Sequence, residues 1–333
     1  MKLRERVEPV LERSAVRRTG LVVGARAGGD SALWHRGQLP DGASSILEIG
    51  SITKTFTGTL LADMARDGLV ALDDPVNRHL PDGVRVPSRG REITLEDLAS
   101  HRSGLPALPK GLLRRSVWPD RRDPYARWDA ARLEAAVPRS RPRRKPGRRA
   151  AYSNYGAGLL GYVLARRAGT AYEDLVRERI CVPLGLTDTW IDTPEPDRPR
   201  VAGGHDRRGR PVPPWHLAAL AGAGGLRSTA ADLLVYLRLH DIGAGHPLAA
   251  AAAETRRTRI SRGRMSVGLG WMSLAPRWKL RRRVFLHEGG TGGFRSFAGF
   301  VPEEGVAAVV LANQARGVGR LGMRVLAALL HGE

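Results

Sequence analysis

Ser51 and Lys54 are the residues whose types and spacing most clearly suggest chemistry. The chain has five lysines against 49 arginines, so lysine is an uncommon choice of cation in it. An arginine keeps its proton in proteins, whereas a lysine removed from water can lose one and accept the proton of a nearby hydroxyl. The segment Ser51-Ile52-Thr53-Lys54 therefore predicts a serine nucleophile with a lysine beside it. The alternative is an N-cap serine followed by a solvated lysine.

The spacing of apolar residues after Ser51 predicts the element that positions this pair. Phe56, Leu60 and Met64 recur every four residues, which is typical of a helix over residues 51–66. Ser51 would open this helix and Lys54 would lie one turn along it, so that the two side chains can touch. The positive end of the helix dipole and its free N–H groups would favour an oxyanion at Ser51.

Two further short segments carry groups suited to catalysis. The first is Tyr152-Ser153-Asn154, and the second is His287-Glu288-Gly289. His35-Arg36-Gly37 is another copy of the His-x-Gly pattern, but only His287 ends an apolar strand-like run and precedes the glycine-rich stretch 289–293. Backbone without side chains can approach a ligand closely there. The alternatives are a core tyrosine at 152, a turn residue at 154 and a structural histidine at 287.

The patterns along the chain predict strands at both ends and helices between them. The apolar spacing favours a first helix over residues 2–17, mostly helical structure from about 56 to 237, and a last helix over 318–330. Thr94 with Asp97 resembles a capping box, and Ser228-Thr229 is expected to begin a helix. Strand-like segments occur at 20–27, 31–35, 266–274, 284–287, 294–301 and 306–311. A sheet assembled from the two termini, with a helical insert, follows from this order.

The charge of the chain raises the question of an acidic partner. Its formal net charge is +21 and its pI is near 11.3, while only 5% of its residues are aromatic and no nucleic-acid motif is visible. Nucleic-acid binding is therefore not expected. The basic residues are densest at Arg139–Arg149, Arg256–Arg264 and Arg277–Arg283, and the first and last of these runs precede the second and third segments. A rim that attracts an acidic substrate or an acidic protein stays open.

Other compositional features concern compartment and cofactors. Cys181 is the only cysteine, so no internal disulfide is expected, and the nine histidines form no metal-ligand spacing. The first 20 residues alternate charged and apolar side chains, and no stretch approaches 18 apolar residues. We therefore expect a cytoplasmic protein with no membrane span, no cofactor and no metal.

Together the three segments resemble the serine β-lactamase and penicillin-binding-protein superfamily, in particular its class C-like branch. That branch includes β-lactamases, esterases and D-alanyl-D-alanine peptidases. The resemblance runs in the family's order over roughly residues 17–330 and includes further framework segments at 72–76, 93–98, 101–106, 183–186 and 292–296.

The resemblance implies a single catalytic domain over residues 1–333 with the β-lactamase/transpeptidase-like fold. This fold is of the α/β (α+β) class, with an antiparallel sheet built from both termini and flanked by helices. The expected lobes are a sheet lobe of residues 1–65 with 260–333 and a mostly helical lobe of residues 66–259.

The resemblance also implies a role for each candidate residue. Ser51 would be the nucleophile that forms an acyl-enzyme, and Lys54 and Tyr152 would share the proton transfer, with either of them as the base. Asn154 would hydrogen-bond the substrate amide and Lys54, and His287 would line the pocket. Gly289 would allow close approach of the backbone. The N–H groups of Ser51 and Gly290 would form an oxyanion hole, worth ~3 kcal/mol per donor.

One departure from the family pattern bears on the substrate. Classical β-lactamases of the superfamily carry Lys-Thr-Gly where this chain has His287-Glu288-Gly289. Loss of the permanent cation weakens recognition of a substrate carboxylate. We therefore expect an esterase- or peptidase-like enzyme that acts on a small-molecule ester or amide rather than an efficient β-lactamase.

Three other functions remain as alternatives. An acyltransferase of the same fold would pass the acyl group to an alcohol or amine, and an acidic acyl-carrier protein could then dock on the basic surface. A non-catalytic binding protein would leave Ser51 inert toward acyl donors. Nucleic-acid binding rests on net charge alone.

Overall fold

The computed structural model describes residues 2–13, 19–112, 122–276 and 281–330. Within these ranges the α-helices are α1 (Leu3–Glu12), α2 (Thr53–Arg66), α3 (Leu95–Ala99), α4 (Ala130–Ala136), α5 (Asn154–Ala168), α6 (Tyr172–Val176), α7 (Val182–Leu184), α8 (Ala230–Arg238), α9 (Ala249–Arg256) and α10 (Gly319–Leu330). The strands are β1 (Gly20–Ala27), β2 (Asp30–Gly37), β3 (Leu47–Glu48), β4 (Gly204–His205), β5 (Pro211–Val212), β6 (Arg227–Ser228), β7 (Ile260–Arg262), β8 (Met265–Val267), β9 (Met272–Leu274), β10 (Val284–Gly290), β11 (Arg295–Val301) and β12 (Val306–Ala312).

Eight strands form one antiparallel sheet drawn from both ends of the chain. Their order is β2-β1-β12-β11-β10-β9-β8-β7. The first strand of the chain lies beside the last, with Leu21 opposite Ala312 and Ala27 opposite Val306. The predicted sheet from both termini, flanked by helices, is therefore confirmed.

Side chains along the central strand β12 alternate between two cores. Val309 and Leu311 belong to the larger core, which also contains side chains of α2, α5 and α8. Val310 and Ala312 belong to the smaller core, formed with α1 and α10. Because successive strand residues point to opposite faces, a strand covered on both sides must be apolar throughout. Every residue of Val306–Ala312 is indeed buried.

Helix α2 crosses the interior of the molecule, and this setting explains its composition. Thr55, Thr57 and Thr59 are fully or almost fully buried. The hydroxyls of Thr55 and Thr59 donate to the carbonyls of Ile52 and Thr55, at 2.8 and 3.0 Å, and that of Thr57 donates to the carbonyl of Gly222 at 2.8 Å. Buried hydroxyls are tolerated when they are hydrogen-bonded in this way. The helix is thus a rigid support for the residues at its start.

Most predicted elements correspond to observed ones, and the capping residues do so in detail. Thr94 Oγ1 accepts from Asp97 N at 3.2 Å while Asp97 accepts from Thr94 N, which confirms the capping box. Thr229 is the N-cap of α8. Of the predicted first helix, residues 14–17 lie outside the described residues.

The prediction of one strand over 266–274 is wrong. The chain forms a hairpin there, in which Val267 pairs with Met272. Gly270 has φ +83° and lies so close to α2 that a Cβ would be 2.4 Å from the carbonyl oxygen of Lys54. Only glycine combines this backbone conformation with this contact, and the apolar pattern of the segment hides the turn.

The predicted division into lobes stays a prediction. Helix α8, from the expected helical lobe, packs against β1 and β12 of the sheet. Among the described residues, no helix combines the length and the apolar character that crossing a membrane requires.

Candidate active site

Ser51 and Lys54 lie at the start of the buried helix. Residues Gly50–Ile52 form a 3₁₀ turn that leads directly into α2, so Ser51 lies one tight turn before the α-helix instead of opening it. The predicted contact between the two side chains is present, with Lys54 Nζ 2.9 Å from Ser51 Oγ.

Lys54 is held in an environment that disfavours its charged form. Only 2% of the residue is exposed, and its Nζ donates to the carbonyl oxygen of Ala223 at 2.5 Å. No carboxylate of the described residues forms an ion pair with it. Burial therefore lowers the pKa of Lys54 well below its ordinary value. A lysine with a lowered pKa is suited to accept a proton from a neighbouring hydroxyl.

The carbonyl of Ala223 is held in place because its 3₁₀ helix packs closely against α5 and α2, two elements distant from it in the sequence. It ends the 3₁₀ helix Ala218–Ala223, which lies against α5 where a Cβ on Gly222 would be 2.8 Å from the Cα of Gly161. Thr57 Oγ1 of α2 donates to the adjacent carbonyl of Gly222 at 2.8 Å. The acceptor for Lys54 is thus fixed from both sides.

Tyr152 brings a hydroxyl to the other side of Ser51. Its OH donates to Ser51 Oγ at 2.6 Å, although 45% of the residue is exposed. Burial raises the pKa of Tyr152 to about 12, and the hydrogen bond to Ser51 offsets part of this effect. The phenol is therefore protonated at neutral pH. With a neutral Lys54 as acceptor for the serine proton, all three groups have compatible donor and acceptor roles.

Asn154 is two residues from Tyr152, but its side chain forms no hydrogen bond with Lys54, so that part of the implied role is not observed. It is the first residue of α5, and its Nδ2 lies 3.5 Å from Tyr125 OH. Its Oδ1 is buried and has no hydrogen-bond partner among the described residues. Lys54 bonds to Ser51 and Ala223 instead. The unpartnered Oδ1 is an acceptor that a substrate N–H could use.

The end of β10 approaches Ser51 through glycines. A Cβ on Gly289 would be 2.0 Å from the carbonyl oxygen of Ile49, and a Cβ on Gly50 would be 2.6 Å from the backbone nitrogen of Gly290. Ser296 Oγ of the next strand also donates to Ile49 O at 2.7 Å. The backbone of the sheet therefore lies against the turn that contains Ser51, which is possible because the glycines have no side chains.

We predict that Gly289→Ala lowers kcat/KM about tenfold to 100-fold. The added methyl must push β10 away from Ile49, and a shift of about 1 Å at a reacting centre is enough for such a loss. The measurement is steady-state kinetics beside Gly29→Ala, whose Cβ would meet no atom within 4 Å. Equal kinetics for the two variants would mean that the close approach is not needed for activity.

Two buried histidines flank Tyr152. The ring of His101 lies 4.5 Å from the ring of Tyr152, and the ring of His287 lies 6.4 Å from it, measured between centroids. Burial and the nearby Lys54 lower the pKa of both histidines to about 3. His287 Nδ1 donates to the carbonyl of Glu288 at 2.7 Å, which leaves its Nε2 as an acceptor. His287 thus lies beside Tyr152 as an uncharged side chain.

We predict that the pH profile of kcat/KM has no inflection that arises from a histidine. His101 and His287 stay neutral above about pH 5, because their pKa values are about 3. Activity instead rises with pH through the lowered pKa of Lys54, whose neutral form is the base. The profile is measured from pH 5 to 9.5, with His287→Asn as the control. An inflection near 6.5 that disappears in His287→Asn would contradict the neutral histidine.

Aromatic residues from two loops form a wall beside the site. The rings of Tyr125 and Trp215 lie 5.3 Å apart, and Trp215 Nε1 donates to Arg122 O at 2.9 Å. The backbone nitrogen of Trp215 donates to Oε1 of Glu48, a buried carboxyl whose pKa burial raises. Sequence reasoning missed these residues, because only folding brings the two loops together.

Two of the three basic runs, Arg139–Arg149 and Arg277–Arg283, lie at different distances from the site. Arg139–Arg149 is held beside the site, because Arg143 N and Gly147 N donate to carbonyls of residues 104 and 102, at 2.8 and 2.9 Å. Residues 277–280 of the third run lie outside the described residues. Its last residue, Arg283, comes just before β10. It lies at the start of this strand, about 20 Å from Gly290 at the other end. Of the described residues of these two runs, those of Arg139–Arg149 border the site.

The described residues contain no group of three or more His, Cys, Asp or Glu side chains placed to hold a metal ion.

Comparison with known proteins identifies relatives that span most of the chain. A family model described as Beta-lactamase matches residues 4–332. The D-alanyl-D-alanine-carboxypeptidase/endopeptidase AmpH of Escherichia coli is 31% identical over 287 residues, which cover 81% of this chain and 71% of AmpH. A beta-lactamase of Pseudomonas fluorescens is 27% identical and covers 92% of this chain and 91% of its own.

A solved structure with a similar fold supports the same relationship. The class C beta-lactamase of Rhodobacter sphaeroides superposes with a TM-score of 0.81 at 28% identity and covers 98% of both chains. The predicted class C-like fold is therefore confirmed.

Proposed function

The chain belongs to the beta-lactamase family, and on this premise we propose that it forms an acyl-enzyme at Ser51 and releases the acyl group of an ester or amide to water. One observation carries the proposal. Ser51 Oγ is in contact with Lys54 Nζ at 2.9 Å and with Tyr152 OH at 2.6 Å. A hydroxyl between an amine of lowered pKa and a protonated phenol is suited to nucleophilic attack.

The first step is proton transfer from Ser51 to Lys54. The lowered pKa of Lys54 and the raised pKa of Tyr152 favour the lysine as the base and the phenol as a proton donor. As Oγ attacks the carbonyl carbon, Nζ takes its proton and the bond to the leaving group breaks. Tyr152 gives its proton to the leaving alcohol or amine and regains one from Lys54. Water then attacks the acyl-enzyme by the reverse transfers.

The oxyanion of this reaction would be bound by backbone N–H groups. The N–H groups of Ser51 and Gly290 are the proposed donors, worth ~3 kcal/mol each. The close approach of Gly290 to Gly50, and of Gly289 to Ile49, supports this placement.

The surroundings of Ser51 favour esters and peptide amides over penicillins. The neutral His287 supplies no permanent cation for a substrate carboxylate where classical β-lactamases have lysine. In the aromatic wall beside the site, the partly exposed Trp215 offers an apolar surface to an acyl or leaving group, and the buried Tyr125 supports it. The AmpH relative is a D-alanyl-D-alanine-carboxypeptidase/endopeptidase, so a peptide that ends in D-alanine is the first amide to test, and its terminal carboxylate makes it a second probe of the missing cation.

The test is a comparison of kcat/KM for three substrates. A p-nitrophenyl ester, a peptide ending in D-Ala-D-Ala and a penicillin are each assayed with the wild type and with Ser51→Ala. We expect turnover of the ester or the peptide to exceed that of the penicillin, and to need Ser51. A higher kcat/KM for the penicillin would make the protein an efficient β-lactamase instead.

A second candidate function is transfer of the acyl group from an acidic carrier protein, in the cytoplasm, to an alcohol or amine. The basic run beside the site favours it. Seven of the eleven residues of Arg139–Arg149 are Arg or Lys, none is acidic, and all seven are exposed. The described residues provide no carboxylate in ion-pair contact with any of them. A partner with a negative surface would therefore meet unpaired cations next to Tyr152.

The acceptor of the acyl group distinguishes the two functions. Transfer predicts that an acylated carrier protein yields the ester or amide of an added acceptor, whereas hydrolysis yields free acid. Arg143, Arg144 and Arg148 are changed together to Gln, beside a control with Gln at the exposed Arg167, Arg238 and Arg320. Free acid as the sole product, with equal KM in both variants, would exclude the carrier.

A further inference from the structure

His101 is one of two non-glycine residues with positive φ in the described chain, and it lies against the catalytic tyrosine. Its φ of +58° is in the left-handed region, which only a few per cent of non-glycine residues adopt. Such conformations persist only where their surroundings fix them, and they are concentrated at functional sites. His101 is also buried, with 4% exposure.

The backbone of His101 holds one side of the Tyr152 segment, and its side chain holds the other. Ala151 N donates to the carbonyl oxygen of His101 at 2.8 Å. Ser153 N donates to His101 Nδ1 at 3.3 Å. One residue therefore anchors both neighbours of Tyr152 through their N–H groups.

The imidazole also contacts the tyrosine itself. The two ring centroids are 4.5 Å apart with an interplanar angle of 44°. Lys54 Nζ lies 4.9 Å from the centroid of the same tyrosine ring. Because 45% of Tyr152 is exposed, few other contacts restrict the direction of its side chain. The hydroxyl reaches Ser51 only if the ring keeps this direction.

We propose that His101 is a positioning residue, which holds Tyr152 so that its hydroxyl bonds to Ser51 Oγ. The imidazole does this in two ways, as the acceptor for Ser153 N–H and as a surface against the phenol ring. Its left-handed backbone is the conformation in which Nδ1 and the carbonyl oxygen of the same residue reach both neighbours of Tyr152. The proton of the imidazole lies on Nε2, because Nδ1 accepts. His101 acts through Tyr152 and takes no part in the proton transfer, and the proposal rests on the function proposed above.

Two substitutions separate the side chain from its strained backbone. His101→Gly accepts the positive φ and keeps the carbonyl that binds Ala151, but it loses the ring and the acceptor. His101→Asn also tolerates the left-handed conformation, and its Oδ1 can replace Nδ1 as the acceptor for Ser153 N–H. Circular dichroism and the melting temperature show whether each variant is folded.

The test is a double-mutant cycle with Tyr152→Phe, read as the rate of Ser51 acylation by an alkyl ester or a peptide amide, whose leaving group needs the proton of Tyr152. We expect His101→Gly to slow acylation about 30-fold to 100-fold in the wild-type background. We expect less than a twofold effect in the Tyr152→Phe background, where no hydroxyl remains to be positioned. His101→Asn should recover about tenfold relative to His101→Gly, with the change in kcat rather than KM.

The outcomes separate this proposal from the proposed function. An equal loss from His101→Gly in both backgrounds, or a loss below twofold in the wild type, would overturn the positioning role while leaving the acyl-enzyme intact. No acylation of the wild type by any ester or amide would overturn the proposed function itself.

Discussion

Ser51→Ala is expected to lower turnover by ~10⁴-fold or more without disturbing the fold. Ser51 Oγ bonds to Lys54 and Tyr152 and is the only atom that the substitution removes from this group. Lys54 keeps its bond to Ala223 O, so the buried amine retains a partner. The measurement is kcat/KM for the best substrate, with the melting temperature as the check on folding. A folded variant with activity within tenfold of the wild type would remove Ser51 from the mechanism.

Lys54→Arg is expected to be nearly inactive, although it keeps a positive charge. Arginine cannot give up its proton, so it cannot accept the proton of Ser51. Lys54→Met is expected to be equally inactive, because it removes the amine. The matched comparison is Lys145→Arg, at an exposed lysine outside this group, which should retain wild-type kinetics. Activity of Lys54→Arg within about tenfold of the wild type would show that position 54 supplies only charge.

Lys54→Met should also raise the melting temperature by about 2 °C or more at pH 6. The folded protein lowers the pKa of Lys54, so below that pKa it must hold a buried charge that the unfolded chain holds in water. This cost decreases as pH rises from the lowered pKa towards 10.5. The advantage of Met should therefore be largest at pH 6 and shrink towards pH 10. An advantage that grows with pH would contradict the lowered pKa.

Features that depend only on residues close together in the sequence could be predicted. The strand Gly20–Ala27 and the caps Thr94 and Thr229 follow from residue type and spacing within a few positions. The contact of Ser51 with Lys54 does so as well, since a single turn brings residues three apart together. Such features could be predicted because they need no knowledge of distant segments.

The features that could not be predicted depend on distant contacts. The carbonyl that binds Lys54 belongs to Ala223, 169 residues further along the chain. His101 lies in a segment that contributed to the family resemblance, yet its type and neighbours do not indicate a place beside Tyr152. Backbone acceptors leave no mark on residue type, and a strained conformation is visible only in three dimensions.

The most direct test of the acyl-enzyme is intact-protein mass spectrometry after brief exposure to p-nitrophenyl acetate and, separately, to a penicillin. The wild type should gain the mass of one acyl group and release p-nitrophenol, with the ester preferred to the penicillin, and Ser51→Ala should gain none. Equal labelling of the wild type and Ser51→Ala, or no adduct and no p-nitrophenol release with any ester or peptide, would contradict a Ser51 acyl-enzyme.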